Sequence, residues 1–216
     1  MIKVMVVDDH ELVRTGISRM LSDQDGIRVI GEAASGEEAV KLARDLEPDV
    51  VLMDIKMPGM GGLVATRKMM KQDDGIRIIA VTVCEEEPFP SRVMEAGAAG
   101  YMTKGADLEE MVRAIKVVQS GQRYISPDIA QAMALRAYKP TPAALDVLSE
   151  RELQIMTMIV NRFKVQDVAD QLCLSPKTVN TYRYRIFDKL GITSDMEMTL
   201  IAVRHGLVNA HEAVAL

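Results

Sequence analysis

Cysteine and histidine are scarce in this chain. Cys84 and Cys173 share no CxxC or metal-ligand spacing, and His10, His205 and His211 form no ligand cluster in the sequence. That pattern excludes a disulfide framework, a zinc module and thiol redox chemistry as organising features, and structural roles are expected for all five residues. Tryptophan is absent, while the 16 methionines are expected as core filler. No window offers the roughly 18 uninterrupted apolar residues of a membrane span. Met1-Ile2-Lys3 runs straight into a strand-like segment with no signal peptide before it, so a cytoplasmic location is expected. Basic charge is also lacking. Residues 141–216 hold 8 Lys and Arg against 9 Asp and Glu, and residues 1–140 hold 18 against 22. Neither part attracts nucleic acid by bulk charge alone. What remains is a chain of 216 residues, 48% apolar and 26% charged, long enough for one large or two small domains.

The most informative stretch is Val50-Val51-Leu52-Met53, which ends abruptly in Asp54 and a loop containing Pro58, Gly59, Gly61 and Gly62. Four consecutive apolar residues are too few for a helix and read as a strand buried on both faces. Similar runs at Ile2–Val7, Ile27–Ile30, Ile76–Val83 and Gly100–Met102 alternate with helical patterns. The first helix carries Leu12, Ile17, Met20 and Leu21 as its apolar stripe. The second opens on a capping box, Ser35 with Glu38, and carries Ala39, Leu42, Ala43 and Leu46. Further helices are expected over 63–70, 91–96 and 107–119. Five strands alternating with helices predict an α/β domain with a five-stranded, doubly wound parallel sheet.

In such a sheet all strand C-termini open on one edge, where ligands bind. Asp8, Asp9, Asp54, Thr82 and Lys104 each lie at or just beyond a strand end, so all five are expected to converge. Three carboxylates at one place repel one another unless a divalent cation neutralises them, and hard oxygen ligands suit Mg2+. A carboxylate beside a metal, a lysine and a hydroxyl can accept a phosphoryl group, a transfer that is mostly positioning and electrostatics. Asp54, on the strand expected at the centre, is the nucleophile. A strand-end Asp also serves phosphatases of the haloacid-dehalogenase type. Those need a second acid two residues later, where this chain has Lys56, so the proton donor for hydrolysis is missing and no enzyme is expected.

The segments VVDDHELVRTGI, DVVLMDIKMPGMGG, IIAVTV and AGAAGYMTKG resemble the receiver domain of two-component response regulators, over about the first 120 residues. The resemblance implies that Asp54 is phosphorylated by a sensor histidine kinase. It implies that Asp9, Asp54 and the backbone carbonyl of Lys56 ligate Mg2+, with Asp8 acting through water. Tyr101 matches the aromatic that turns inward when the Thr82 hydroxyl moves onto the phosphoryl group. Many receivers have proline after the lysine; this chain has Gly105, which permits the same backbone path without enforcing it.

Residues 1–121 are thus expected as the receiver and 122–147 as a linker. One short helix around Ile129, Met133 and Leu135 is allowed in the linker, and Lys139-Pro140-Thr141-Pro142 reads as an exposed connector. Residues 148–216 read as four helices. Ser149 and Glu152 form a capping box at the first, and Leu153, Met156, Ile159 and Val160 give its buried stripe. Val165, Val168, Ala169 and Leu172 mark the second. Ser175 caps the third helix, Pro176 fills its first turn and Gly191 stops it; Met196–His205 is the fourth, ended by Gly206. On the third helix Val179, Tyr182, Arg183, Ile186 and Leu190 share one stripe. Lys177, Asn180, Thr181, Tyr184 and Asp188 lie opposite, on a helix of local net charge +3. Periodicity alone favours a plain bundle with a solvated face over a helix-turn-helix that enters a major groove.

The segments LSERELQIM, VADQLCLSPKTVNTYRYRIFDKLGI and AVRHGL resemble the LuxR/NarL-type DNA-binding domain, over roughly the last 65 residues. The resemblance implies that Asn180, Thr181 and Tyr184 face base edges while Lys177, Thr178, Arg185 and Lys189 hold phosphates. It also implies that the fourth helix pairs two copies on double-stranded DNA. With SGQRYIS between the halves, the chain looks most like the GacA/UvrY/LetA group of NarL/FixJ-type response regulators. The remaining alternative is a receiver joined to a helical module that binds protein and never touches DNA.

Overall fold

The computed structural model describes residues 1–73, 75–83, 88–138, 144–205, 207 and 208. They divide into two compact units, one holding the bulk of residues 1–134 and the other beginning at Leu135. The Lys139–Pro142 connector and Gly206 lie outside the described residues.

In the first unit, strands β1 (Ile2–Val7), β2 (Ile27–Ala33), β3 (Val50–Met53), β4 (Arg77–Thr82), β5 (Gly100–Thr103) and β6 (Tyr124–Ile125) make one sheet in the order β2-β1-β3-β4-β5-β6. Every pairing is parallel. All four side chains of β3 are buried, as an interior strand covered on both faces requires. The sheet has six strands where five were expected. The sixth falls in the segment read as linker, because two residues are too short to leave a periodic pattern. It pairs with the edge of the sheet, Gly100 opposite Tyr124 and Tyr101 opposite Ile125.

The helices between strands are α1 (Glu11–Ser22), α2 (Gly36–Leu46), α3 (Gly61–Gln72), α4 (Phe89–Glu95) and α5 (Leu108–Gln119), followed by α6 (Pro127–Tyr138). Ile17 and Leu21 of α1 pack with Met111, Ala114, Ile115 and Val118 of α5 over Val4, Val6, Val50, Leu52, Ile79 and Val81. The stripe assigned to α1 needs correction: Leu12 is 89% and Met20 43% exposed. The buried line runs through Val13, Ile17 and Leu21, spaced by four. Leu12 and Met20 lie one helical step, about 100°, away from it. At α2, Ser35 accepts from the Glu38 N–H at 3.2 Å. The Glu38 carboxylate reaches back to the N–H of Ala34 at 2.7 Å, one residue before the cap expected from the capping box.

In the second unit a single 3-10 turn (Ala144–Val147) precedes α7 (Glu150–Val160), α8 (Val165–Gln171), α9 (Pro176–Leu190) and α10 (Asp195–Arg204). The capping box at Ser149 and Glu152 is complete, Ser175 caps α9 with Pro176 in its first turn, and Gly191 ends α9 with φ of 65°. Leu153, Met156, Val168, Ala169, Val179, Ile186, Met198 and Ala202 are buried, which gives this unit its own core.

Candidate functional site

Backbone ladders fix where each acid stands. The N–H of Asp8 donates to Ala33 O and that of Asp54 to Val7 O, carrying both residues just past the strand ends with ladder geometry intact. The N–H of Lys104 donates to Thr82 O, which ties the ends of β4 and β5 together. Asp8 and Asp54 are each 2% exposed. The Lys104 ammonium lies 2.6 Å from Asp8 Oδ2 and 2.7 Å from Asp54 Oδ2. The other oxygen of Asp54, Oδ1, accepts the N–H of Lys56 at 3.0 Å. Thr82 is fully buried at the end of β4, the strand beside β3, and Tyr101 is fully buried on β5.

Burial is the largest influence on Asp54 and raises its pKa above the ordinary carboxylate value. Lys104 and the Lys56 N–H pull the other way, while Asp8 adds to the rise. Burial works against the charged form of Lys104, yet Asp54 and Asp8 outweigh it and raise its pKa. One ammonium therefore meets the carboxylates of Asp8 and Asp54, and with Asp9 beside them the cluster is short of positive charge and rich in hard oxygen donors. That donor set fits a divalent cation such as Mg2+.

Two structural features are absent from the sequence reading. His10 is not scattered: one donor atom from each of Asp8, Asp9, His10 and Asp54 lies within 4.8 Å of the others. The three histidines could not be judged by mutual spacing, because the partners of His10 are acids. The second feature is Glu37 of α2, whose carboxylate accepts the N–H of Met60 at 2.8 Å and so holds the loop that follows Asp54. Arg14 also braces the acid pair, donating to the carbonyl of Asp8 at 2.7 Å.

On α9, Val179 and Ile186 are buried as expected, but so is Phe187, while Tyr182, Arg183 and Leu190 are only half-buried. The inward stripe is therefore centred further round the helix than the sequence pattern implied. Arg183 forms a two-pronged pair with Asp195, at 2.7 and 2.5 Å, and its guanidinium covers the Phe187 ring at 5.4 Å. Lys189 bonds to Glu152 at 2.7 Å. Lys177, Thr181, Tyr184, Arg185 and Asp188 are exposed, Thr178 and Asn180 half-buried. Among the described residues Lys177 and Arg185 carry no ion pair. The Arg185 guanidinium lies 5.8 Å from the Tyr182 ring, and the Thr181 hydroxyl donates to Lys177 O. Met196 and Leu200 of α10 are 68% and 56% exposed. Among the described residues no helix is long and apolar enough to cross a membrane.

Residues 4–116 match the response regulator receiver domain family, and residues 146–202 match the bacterial regulatory proteins of the luxR family. The chain is 65% identical to the response regulator GacA of Pseudomonas aeruginosa over 212 residues, covering 97% of this chain and 99% of the relative. It is 58% identical to the response regulator UvrY of Escherichia coli K12, with 97% of each covered. Among solved structures, the RcsB response regulator of Salmonella typhimurium superimposes with a TM-score of 0.75 at 21% identity, over 92% of this chain and 95% of that one. At that identity the likeness is one of fold.

Proposed function

The chain belongs to the two-component response regulators that join a receiver domain to a LuxR-type DNA-binding domain, alongside GacA and UvrY, and we propose that Asp54 is its phospho-acceptor. The supporting observation is a buried carboxylate at the tip of an interior strand, bonded to Lys104 and facing Asp8. An Asp54 oxygen attacks the phosphorus of a phosphohistidine on a sensor kinase; the P–O bond forms as the P–N bond breaks, and the proton that histidine regains comes from solvent. Lys104 turns its ammonium from Asp8 and Asp54 to an oxygen of the arriving group. The Lys56 N–H keeps the acceptor carboxylate in place, and the Thr82 hydroxyl donates to the phosphoryl group once it is bound. Asp9, Asp54, the Lys56 carbonyl and, through water, Asp8 would hold Mg2+, which supplies neutralisation of the transferring charge.

The response is sequence-specific DNA binding by α9, with Asn180, Thr181 and Tyr184 toward base edges and Lys177, Thr178 and Arg185 toward phosphates. Lys189, held by Glu152, anchors the helix as well as lying near the backbone of DNA. Two copies pair through α10, where Met196 and Leu200 are exposed. We assign 1–121 to the receiver, whose sheet is extended by β6 of the next segment, 122–147 to the linker and 148–216 to the DNA-binding domain. The protein acts in the cytoplasm as a regulator that turns over no substrate of its own. Labelling with acetyl phosphate or a phosphorylated kinase tests the acceptor. Asp54→Asn keeps the shape and is expected to abolish the label, whereas label retained at the wild-type level would place the site elsewhere.

A further inference from the structure

We infer that His10 is a nitrogen ligand that gives the acid pocket a preference for divalent first-row transition ions over Mg2+. The inference rests on the reading of Asp8, Asp9 and Asp54 as a cation site. His10 stands where β1 hands over to α1, in the N-cap position, and its side chain makes no capping bond. Its backbone N–H donates to Asp8 Oδ1 at 2.9 Å, which fixes its Cα beside the pocket. The ring is 67% exposed, so packing does not account for it. Its Nδ1 nevertheless lies 3.0 Å from Asp9 Oδ1 and 3.5 Å from Asp8 Oδ1.

A set of donors that all lie within 4.8 Å of one another can close on one ion by side-chain rotation alone. Three carboxylates less the Lys104 charge leave a deficit that a divalent cation matches. Mg2+ has no use for the imidazole: it keeps oxygen ligands and several waters in a near-ideal octahedron at roughly 2.0–2.1 Å. First-row transition ions accept imidazole and gain affinity from it, increasingly along the row from Mn2+, so Mn2+ is the most stringent of them as a probe. With Mg2+ in the pocket, His10 stays on Asp9 as an outer partner; with a transition ion, the ring replaces a water. The pocket is then filled at lower free metal when such ions are present.

The test uses the full-length protein with Mg2+ and Mn2+ as probes. Affinities for both are measured by calorimetry in wild type, His10→Ala and His10→Asn, and pulsed electron paramagnetic resonance reads 14N coupling to bound Mn2+. Wild type is expected to show an imidazole 14N signal that both variants lose, and the Mn2+-over-Mg2+ preference is expected to fall about tenfold in both. Asparagine can still bond to Asp9 but offers no imidazole nitrogen. A wild-type preference in His10→Asn, or Mn2+ bound to wild type without 14N coupling, overturns the assignment of His10. Wild-type protein that binds neither ion overturns the cation site itself.

Discussion

A Cβ added to Gly62 would lie 2.0 Å from the carbonyl oxygen of Asp54 and 2.7 Å from the Cα of Ile55, so α3 can start beside the acceptor only because this residue has no side chain. Gly62→Ala is expected to cost about 1–3 kcal/mol, read from urea unfolding, and to slow labelling of Asp54 because the backbone that must yield is the acceptor's own. Glu37→Ala frees the loop holding Lys56 from its bond at Met60. It is expected to weaken Mg2+ binding by about tenfold, the size of an outer-partner effect on a metal site, with Glu37→Gln recovering most of the loss. Titration calorimetry measures both. In the other unit, burial acts to raise the pKa of Glu152. Lys189 and the Ser149 N–H and hydroxyl outweigh it, so the pKa ends below the ordinary 4.5. A carboxylate depressed on folding stabilises above its unfolded pKa, and the contribution fades as pH falls through the folded value. Glu152→Gln is therefore expected to cost about 2 kcal/mol at pH 7, with the gap to wild type closing below about pH 4.5. A gap that stays constant down to pH 3 in urea titrations would show that charge is not what Glu152 contributes. Asp54 and Lys104 were legible because each stands at or just past the end of an apolar run. Glu37 was not, since its contact with Met60 spans 23 residues and a Glu in a helix's first turn has a sufficient local explanation in the helix dipole.

At the scale of elements, strands were easier to read than helix faces. A run such as Val50–Met53 is buried on both sides, so an error of one residue changes nothing. A helix stripe is narrow, and α1 shows the consequence: Leu12 and Met20 are as apolar as Ile17, yet one step round they face solvent. On α9 the sequence placed Arg183 inward with the apolar residues, and the structure gives the reason it can be there. Asp195, the first residue of α10, meets both prongs of its guanidinium, a pairing that no local pattern announces. Of the outward stripe of α9, Lys177, Thr181, Tyr184 and Asp188 are exposed and Asn180 is half-buried, and the stripe makes a prediction about recognition. Asn180→Ala and Thr181→Ala are expected to relax sequence preference while keeping most non-specific affinity, because base contacts specify and phosphate contacts position. Lys177→Ala is expected to weaken all sequences alike and to shallow the salt dependence by about one unit. Fluorescence anisotropy on operator and random duplexes at two salt concentrations separates the two behaviours. If all three variants behaved alike, the assigned phase would be wrong.

At the scale of the whole molecule the problem is how a phosphoryl group at one edge of the receiver controls a helix in another unit. Phosphorylation adds roughly −1.5 to −2 charges, and screening removes most direct influence beyond about 8–10 Å. The signal must instead bias an element with two arrangements. Thr82 and Tyr101 are buried on neighbouring strands, and the backbone shows where a change there leads. Tyr101 O accepts the N–H of Ser126, and Tyr101 lies opposite Ile125 of β6. Ser126 in turn accepts from Ala130 in α6, the helix in which the chain leaves the receiver. We propose that a shift of the Tyr101 strand is passed through this backbone bond to the residues that lead into α6. On the proposal that the Thr82 hydroxyl moves to the phosphoryl group and Tyr101 follows, Thr82→Ala is expected to accept phosphate at Asp54 yet to gain little DNA affinity. Fragment 148–216, with its own core, is expected to bind operator DNA without phosphorylation. The full-length protein is expected to need phosphorylation for tight binding. A single short helix with few unpaired cations holds one half-site weakly, and pairing two copies raises effective concentration by a factor that either copy alone lacks. Mass photometry alongside the anisotropy titration shows whether the affinity gain tracks the dimer. Equal affinity of phosphorylated and unphosphorylated full-length protein across the titration would remove the coupling between the units, whatever the fragment does.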